Sequence, residues 1–334
     1  MTQAAQIPPQ HCVHVKTTAR LHMGFIDMNG GLGRRFGSVG LSLDKPAVSL
    51  TAELSTDFSA SGASAQRVVE CARNFARSMG LHGGAHFEVD GSIPEHAGLG
   101  SGTQLALAAG VSMARLHGLD MPLREIAAIT ARGARSGIGI GAFEQGGLLV
   151  DGGRGRDTRA PPIVARLEFP SQWRVLLIYD VHSQGVHGVQ EKQAFDKLPK
   201  FPAEQAARIA RLVLMQALPA VVEQDLESFG CAISELQRIV GDYFAPVQGG
   251  ERYISPMVAD TMAWLEMQGV QCIGQSSWGP TGFAIVGSTA RAEQLLKDLE
   301  LRSTGLQYEI CCARNQGSSV EEGLVSEHET RMAG

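Results

Sequence analysis

The chain has 334 residues, more than one hydrophobic core usually organises, and its 44% hydrophobic and 19% charged residues are ordinary for a globular protein, so two packed halves are expected. A formal net charge of -5 with scattered basic residues gives no electrostatic footprint for nucleic acid or an anionic membrane, which leaves small molecules as the expected partners. The six cysteines (Cys12, Cys71, Cys231, Cys272, Cys311 and Cys312) form no C-x-x-C pair and read as reduced thiols rather than a zinc or disulfide framework.

The opening MTQAAQIPPQ lacks the basic region and apolar run of a signal peptide, and no later segment approaches about 18 consecutive apolar residues, so the expected location is cytoplasmic with no membrane contact. Elements then follow in chain order. VSLTAELS (48–55) and AHFEVD (85–90) alternate apolar and polar residues and predict half-buried strands. Leu105, Ala109, Met113 and Leu116 recur at helical spacing, predicting a helix with one apolar stripe that ends near Gly118. Pro122 suits the first turn of a further helix that carries Leu123, Ile126, Ala127 and Thr130 inward.

Residues 146–162, GGLLVDGGRGRDTRAPP, break both periods, and the expected boundary follows them, with one domain over 1–165 and a second over 166–334. WRVLLIY predicts a central strand, helices are expected around 203–217, 221–240 and 255–268, and FAIVG (283–287) reads as a buried strand before another helix. The first ten residues and the tail from about Ser318 are polar enough to be partly disordered.

Between the AHFEVD strand and the first helix lies PEHAGLGSGTQLALA (94–108). A strand, a glycine-rich loop and a helix start bring backbone N–H groups and the positive end of the helix dipole to one place, which favours an anion such as phosphate. Gly98, Gly100 and Gly102 allow close approach or positive φ around Leu99, while Ser101 and Thr103 can cap the helix or donate to a phosphate. A tight connection with a capping hydroxyl is the plain alternative. No G-K-[ST] follows and the glycine spacing is not that of a dinucleotide fingerprint.

P-x-x-x-G-L-G-S-G, Pro94 to Gly102, resembles the phosphate-binding motif of the GHMP kinase superfamily, P-x-x-x-G-L-G-S-S-A, and ARLHMGFIDMNG and GQSSWGPTGFAIVG fall where that superfamily has its other motifs. That resemblance implies an α+β, two-domain GHMP kinase-like fold with a ribosomal protein S5 domain 2-like N-terminal half and a ferredoxin-like α/β C-terminal half. Gly102 and Thr103 depart from the kinase loop, as do Trp278 and Pro280 in the late loop. The closer resemblance is to the beta-ribofuranosylaminobenzene 5'-phosphate synthases, on RLHMGFIDMNGGLGRRFGSVGLSLDKP, ARSGIGIGAFEQGGLLVDGG, GVHG (185–188) and GQSSWGPTG.

This resemblance implies an enzyme that condenses 4-aminobenzoate with 5-phosphoribosyl 1-diphosphate, releasing pyrophosphate and carbon dioxide early in tetrahydromethanopterin biosynthesis. It also implies magnesium, no organic cofactor and a homodimer. Such chemistry asks for N–H groups and cations around phosphate, for which Gly98 to Thr103 and one or more of Arg20, Arg34, Arg35 and Arg135 are candidates. Arg20 and His22 are two apart and on a strand share a face; the alternative is a surface arginine and a structural histidine. Asp27 can orient either of them or simply close an Asx-turn. Arg135, Ser136 and Glu144 sit in a glycine-rich run, Arg135 as a carboxylate or phosphate clamp, Ser136 as a substrate contact and Glu144 on magnesium or the amine; the glycines can equally serve close packing.

His187 in GVHG is a candidate acid or base with Glu191 to orient it, and His182 is a rival in the same loop. Ser276, Ser277, Trp278 and Gly279 form the last candidate wall, with the indole stacked on the ring or else packed in the core. The identity of any metal ligand stays open. Two other functions compete: a small-molecule kinase acting on homoserine, mevalonate or a sugar, and a non-catalytic sugar-phosphate or nucleotide sensor.

Overall fold

The computed structural model describes residues 11–183, 185, 194–195, 197–302 and 305–324. Two long antiparallel strands, β1 (His11–Asp27) and β2 (Phe36–Ser55), are its spine. They alternate well enough to bury Val13, Val15, Leu21 and Met23 from one and Leu41, Leu43 and Leu50 from the other. The register shifts between Thr18 and Arg20 and again between His22 and Gly24, so β1 carries two bulges around a short regular segment.

β4 (Gly84–Gly91) pairs with β2, and β3 (Ser59–Gly62) lies parallel to β4 at the edge. The early part of β2 also pairs with β5 (Leu148–Asp151), and β5 with β6 (Ile163–Leu167). Helices α1 (Ala65–Met79), α2 (Ser101–Leu116), α3 (Leu123–Ile129) and α4 (Ile138–Glu144) pack together on this sheet.

The second sheet has the order β10-β7-β9-β8, all antiparallel, from β7 (Arg174–Tyr179), β8 (Cys272–Gln275), β9 (Gly282–Val286) and β10 (Gln307–Cys311). Between β7 and β8 run α5 (Ala203–Leu212), which passes through a π turn at Val213–Ala217 into α6 (Leu218–Glu223), then α7 (Leu226–Phe244) and α8 (Pro256–Met267). α9 (Thr289–Leu301) links β9 to β10, completing the ferredoxin-like alternation. Asp225, Ser255 and Ser288 each accept the N–H three residues on (3.0, 3.2 and 3.2 Å), which fixes where α7, α8 and α9 begin.

Several expectations change. α2 is buried on almost every side and not along one stripe, because it is covered by α1, α3 and α4 as well as the sheet. The helix expected from 221 starts at Leu226, after Gln224 takes a left-handed φ of 59° and Asp225 caps. The expected break at 146–162 contains β5, all four of whose residues are buried. The polar tail expected from Ser318 instead forms β11 (Ser319–Leu324), which pairs antiparallel with His11–Lys16 of β1. Consequently the first sheet takes strands from both ends of the chain, and the boundary placed near residue 165 falls inside β6. Among the described residues one helix, Ala203–Glu223, is long and apolar enough by composition to cross a membrane, yet its inner face, including Ala206, Ile209, Val213 and Ala220, lies in the core.

β5 ends on Asp151, which is fully buried. Its carboxylate accepts from the Ser38 hydroxyl, from Ser136 Oγ at 3.1 Å and from the N–H groups of Gly137 and Gly153, both at 2.9 Å. Burial pushes its pKa up while these donors pull it back, and the net direction is upward. This carboxylate therefore holds the entry to α4. Asp151→Ala removes the acceptor of four donors, the Gly137 and Gly153 N–H groups among them buried, and is expected to cost about 2–4 kcal/mol in urea unfolding, with Asp151→Asn losing less.

Candidate functional site

Three segments distant in sequence meet along β1. From Arg20 to His22 the pairing with β2 is regular, Arg20 opposite Ser42 and His22 opposite Gly40, so the two side chains share a face as the spacing predicts. The N–H of Arg20 donates to the Leu99 carbonyl (3.1 Å), and its guanidinium donates to the Gly98 carbonyl. The N–H of His22 donates to Ser276 Oγ (3.1 Å), the N–H of Ser277 donates to the His22 carbonyl (2.9 Å), and Ser276 Oγ donates to the Gly98 carbonyl (2.8 Å). The glycine loop and the late loop are thus stitched to the same strand and to each other.

Gly98 has φ +80°, and a Cβ there would lie 2.1 Å from the Ser276 carbonyl oxygen; one on Gly279 would lie 2.2 Å from that of Ala97. The Gly185 N–H donates to His96 (3.2 Å), which brings the start of GVHG to this place, while His187 and Glu191 lie outside the described residues. His182 is exposed, with its N–H on the Asp180 carboxylate at 2.9 Å.

Gly100, at φ +88°, precedes α2 and offers no side-chain cap. The N–H groups of Thr103 and Gln104 turn back to its carbonyl (3.0 and 3.1 Å), and those of Ser101 and Gly102 have no acceptor within the helix, as first-turn donors never do. Ser101 is buried at the first helical position, and neither its hydroxyl nor that of Thr103 caps the helix. The Gln104 amide donates to Gly139 (2.8 Å) and accepts from Thr17, fastening this turn to α4 and β1.

Two arginines that the sequence reading passed over stand here as well. Beside Gly102, Arg67 Nη2 and Arg132 Nη1 lie 2.9 and 3.5 Å from where a Cβ would be, and Arg20 Nε lies 3.2 Å from the same point on Gly100. Arg132 lies two residues before the glycine-rich run that drew attention to Arg135, next to Gly133, so widening that run would have reached it. Arg67 carried no local signal, since it comes from the first turn of α1 and reaches the loop only in the fold.

Burial lowers the pKa of the Arg20 guanidinium to about 10, and its Nε has no partner among the described residues. His22 is 4% exposed, and its pKa is pulled to about 3, first by burial and then by the Arg20 charge, against a smaller opposing effect of its own backbone hydrogen bond. It is therefore a neutral imidazole whose Nδ1 has no partner among the described residues. Its ring meets Phe25 edge-on at 4.8 Å and lines a cavity with Phe25, Phe244, Gln248, Ser277 and Trp278. Gln248 Oε1 and Trp278 Nε1 are likewise buried without a partner among the described residues.

Trp278 is on the late loop, but it is buried and packs against Phe195 (5.0 Å) and Phe244 (4.4 Å). Of the two readings the sequence left open, packing is the one seen, and the indole supports the cavity wall. Arg135 lies over the Phe195 ring at 4.8 Å, at the rim of this aromatic cluster. Ser136 is tied to Ser38 and Asp151 and shapes the loop before α4.

The remaining candidates sit elsewhere. Asp27 Oδ1 accepts from the N–H groups of Asn29 (2.8 Å) and Gly30 (3.0 Å), which is the Asx-turn reading. Arg34 donates to the Gly152 and Gly153 carbonyls (2.7 and 2.8 Å) and Arg35 to Met28 (3.0 Å), so both brace a turn and not the phosphate loop. Glu144 is exposed at the far end of α4, accepts from Gln145 (3.2 Å) and borders a separate cavity with Arg115 and Phe143; α4 points it away from the glycine loop. Among the described residues no group of three His, Cys, Asp or Glu side chains is placed to hold a metal ion.

The family model for the GHMP kinases N terminal domain matches residues 66–147 and that for GHMP kinases C terminal matches 217–302. A beta-ribofuranosylphenol 5'-phosphate synthase of Archaeoglobus fulgidus is 36% identical over 327 residues, covering 92% of this chain and 99% of that protein. One of Methanocaldococcus jannaschii is 34% identical over 300 residues, covering 81% and 88%. Among solved structures, mevalonate 5-diphosphate decarboxylase superposes with TM-score 0.66 at 13% identity (93% of this chain, 97% of that one), and homoserine kinase of Cytophaga hutchinsonii with 0.61 at 16% (96% and 100%). These structural likenesses establish the shared fold.

The buried histidine gives a pH test. Its folded pKa lies below the ordinary value of about 6.5, so as pH falls below that value the unfolded chain takes up a proton that the folded one refuses. Stability should therefore fall with decreasing pH from about 6.5 toward 3, with a slope approaching about 1.4 kcal/mol per unit from this group. The His22 ring should show no titration by NMR between pH 5 and 8, and His22→Gln should remove its share of the slope.

Proposed function

We propose a reaction for this site from one premise: the chain belongs to the beta-ribofuranosylphenol 5'-phosphate synthases, a family built on the GHMP kinase fold. The enzyme joins 4-aminobenzoate to 5-phosphoribosyl 1-diphosphate, releasing pyrophosphate and carbon dioxide, as an early step of tetrahydromethanopterin biosynthesis. One observation carries this reading: the Arg20 cation, bonded only to a neutral carbonyl and with its Nε unpartnered among the described residues, stands beside the helix start at Gly100, while His22, two residues on, lines a cavity with Phe25, Phe244 and Trp278. An anion subsite and a ring subsite are side by side on one strand.

The electron flow needs little else. The C1–O bond breaks with its pair going to the departing diphosphate, and the ring attacks C1 through the carbon bearing the carboxylate, pushed by its para substituent. That carbon then loses carbon dioxide, whose bonding pair restores aromaticity. No ring proton has to leave, so a neutral His22 suits a site that positions and excludes water and moves no proton. Near-attack positioning of two substrates can supply about 7–11 kcal/mol of barrier reduction.

The relatives' names specify a ribosylated phenol. A para hydroxyl and a para amine push density onto the same ring carbon, so the relatives' chemistry and the reading here differ by one substituent. We take 4-aminobenzoate as the acceptor. Magnesium is proposed to arrive on the diphosphate as its counter-ion, since no cluster of protein ligands for it is found among the described residues, and the balanced reaction calls for no organic cofactor. The expected location is the cytoplasm.

A homodimer is also proposed, with Leu214, Met215 and Val222, 64 to 69% exposed along the helix over 203–223, as its apolar face. Light scattering should give twice the chain mass for wild type and the chain mass for Met215→Glu; a monomeric wild type overturns this.

The activity test is release of carboxyl label. With 5-phosphoribosyl 1-diphosphate, carboxyl-labelled 4-aminobenzoate should release carbon dioxide at least about tenfold faster than labelled 4-hydroxybenzoate, the factor that about 1.4 kcal/mol of discrimination gives. The reverse order transfers the assignment to the phenol-forming reaction. Release from neither, with ATP consumed alongside homoserine, mevalonate or a sugar, replaces the reading with a kinase.

A further inference from the structure

Around the first turn of the 16-residue α2, three guanidinium groups crowd into a space with one carboxylate. Arg67 Nη1 meets Glu95, which also accepts from Ser64 Oγ at 2.7 Å. Arg132 leans on the Cys71 thiol, and its Nε is buried without a partner. Arg20 is hydrogen-bonded only to the neutral Gly98 carbonyl, and its Nε is also buried and unpartnered. Among the described residues no carboxylate lies within ion-pair distance of Arg20 or Arg132. Partly buried like charges at the positive end of a helix repel one another, and with one carboxylate among three guanidiniums the cluster keeps an excess of positive charge that favours an anion from outside.

We propose that Arg67 and Arg132, with Arg20, form a three-arginine cradle for a diphosphate group over the first turn of α2, and that Gly102 is glycine in order to admit it. The proposal rests on the synthase reading for the identity of its ligand, the diphosphate of the sugar substrate. Gly102 is where the chain departs from the superfamily's second serine. Arg67 Nη2 is only 2.9 Å from the place of a Cβ at 102, so a side chain there would displace that guanidinium, while Arg132 Nη1 at 3.5 Å would meet it in ordinary contact. Two phosphorus centres carry more charge and more acceptor oxygens than orthophosphate, enough to engage forks arriving from β1, from α1 and from the loop after α3 together with the Ser101 and Gly102 N–H groups. A leaving group held this way departs as a neutralised dianion or trianion.

The test uses inorganic pyrophosphate as the probe, measured by calorimetry on the full chain without the aromatic substrate. Pyrophosphate should bind wild type at least tenfold more tightly than orthophosphate. Arg132→Gln, Arg67→Gln and Gly102→Ser should each weaken pyrophosphate at least tenfold, and Arg132→Lys should recover part of the loss. In turnover the variants should raise KM for 5-phosphoribosyl 1-diphosphate while leaving KM for the aromatic acceptor within about twofold.

Thermal unfolding separates this role from a structural one. With no anion present, Arg132→Gln should melt at or above wild type, because a repelling charge is gone, and its stabilisation by pyrophosphate should be largely lost. Pyrophosphate affinity within twofold of wild type in both glutamine variants overturns the cradle, as does a lower ligand-free melting temperature in Arg132→Gln with normal pyrophosphate binding by the folded fraction. Label release by wild type with unchanged variant affinities would overturn the cradle and leave the synthase reading standing; pyrophosphate binding that follows the arginines with no label release would do the reverse.

Discussion

The backbone of Arg20, Leu21 and His22 is the constraint on which the site depends. β11 covers the outer edge of β1 only as far as Lys16, so beyond it the strand presents N–H and C=O groups that the sheet does not use. Inside a protein such groups cost free energy unless they are bonded, and two loops meet the need. Leu99 accepts from Arg20, while Ser276 Oγ and the Ser277 N–H bond to His22. The bulges on either side isolate this segment from the regular ladder. A sheet edge left short at one end of β1 thus becomes the template that assembles loops about 180 residues apart.

Consequences for charge follow directly. Loops docked on both sides shut water away from Arg20 and His22, which is why one loses basicity and the other stays neutral. Holding a cation against a neutral carbonyl with no counter-ion beside it is costly in a protein at rest, and an anion bound there would offset that cost. Such a site is stiff and ready before substrate arrives, which is the arrangement that stabilises developing charge without reorganisation. Asp151 supplies the same rigidity on the α4 side by collecting four donors around Ser136 and Gly137.

What sequence made legible was local. The glycine loop before α2, the shared face of Arg20 and His22 and the late loop at Ser276 could be read because strand alternation, glycine conformations and motif spacing are short-range facts. Asp27 and Trp278 were each given two readings, and geometry selected the Asx-turn for one and packing against Phe195 and Phe244 for the other. Glu144 misled because a short helix can carry one end to the site and the other away from it. β11 was hidden since its partner lies about 300 residues earlier, and Arg67 because nothing near it in sequence announces the loop it meets.

The same fold serves enzymes named as homoserine kinase and mevalonate 5-diphosphate decarboxylase, so architecture alone does not choose the chemistry. In this chain the choice is written at the points where the kinase pattern breaks. At 102 a glycine stands where the superfamily has a serine and lets the Arg67 guanidinium close in beside the helix start, and an indole at 278 closes an aromatic wall beside the neutral His22. Phosphoryl transfer would ask for a nucleophile delivered to phosphorus; this site instead gathers arginines around the glycine loop and, beside them, a cavity walled by Phe25, Phe244 and Trp278 together with Gln237, Gln248, Arg252 and Gln275. In the proposed reaction an electrophilic sugar carbon held between those two surfaces would lose its diphosphate toward the arginines and meet a ring from the other side, with the neutral imidazole of His22 at the seam.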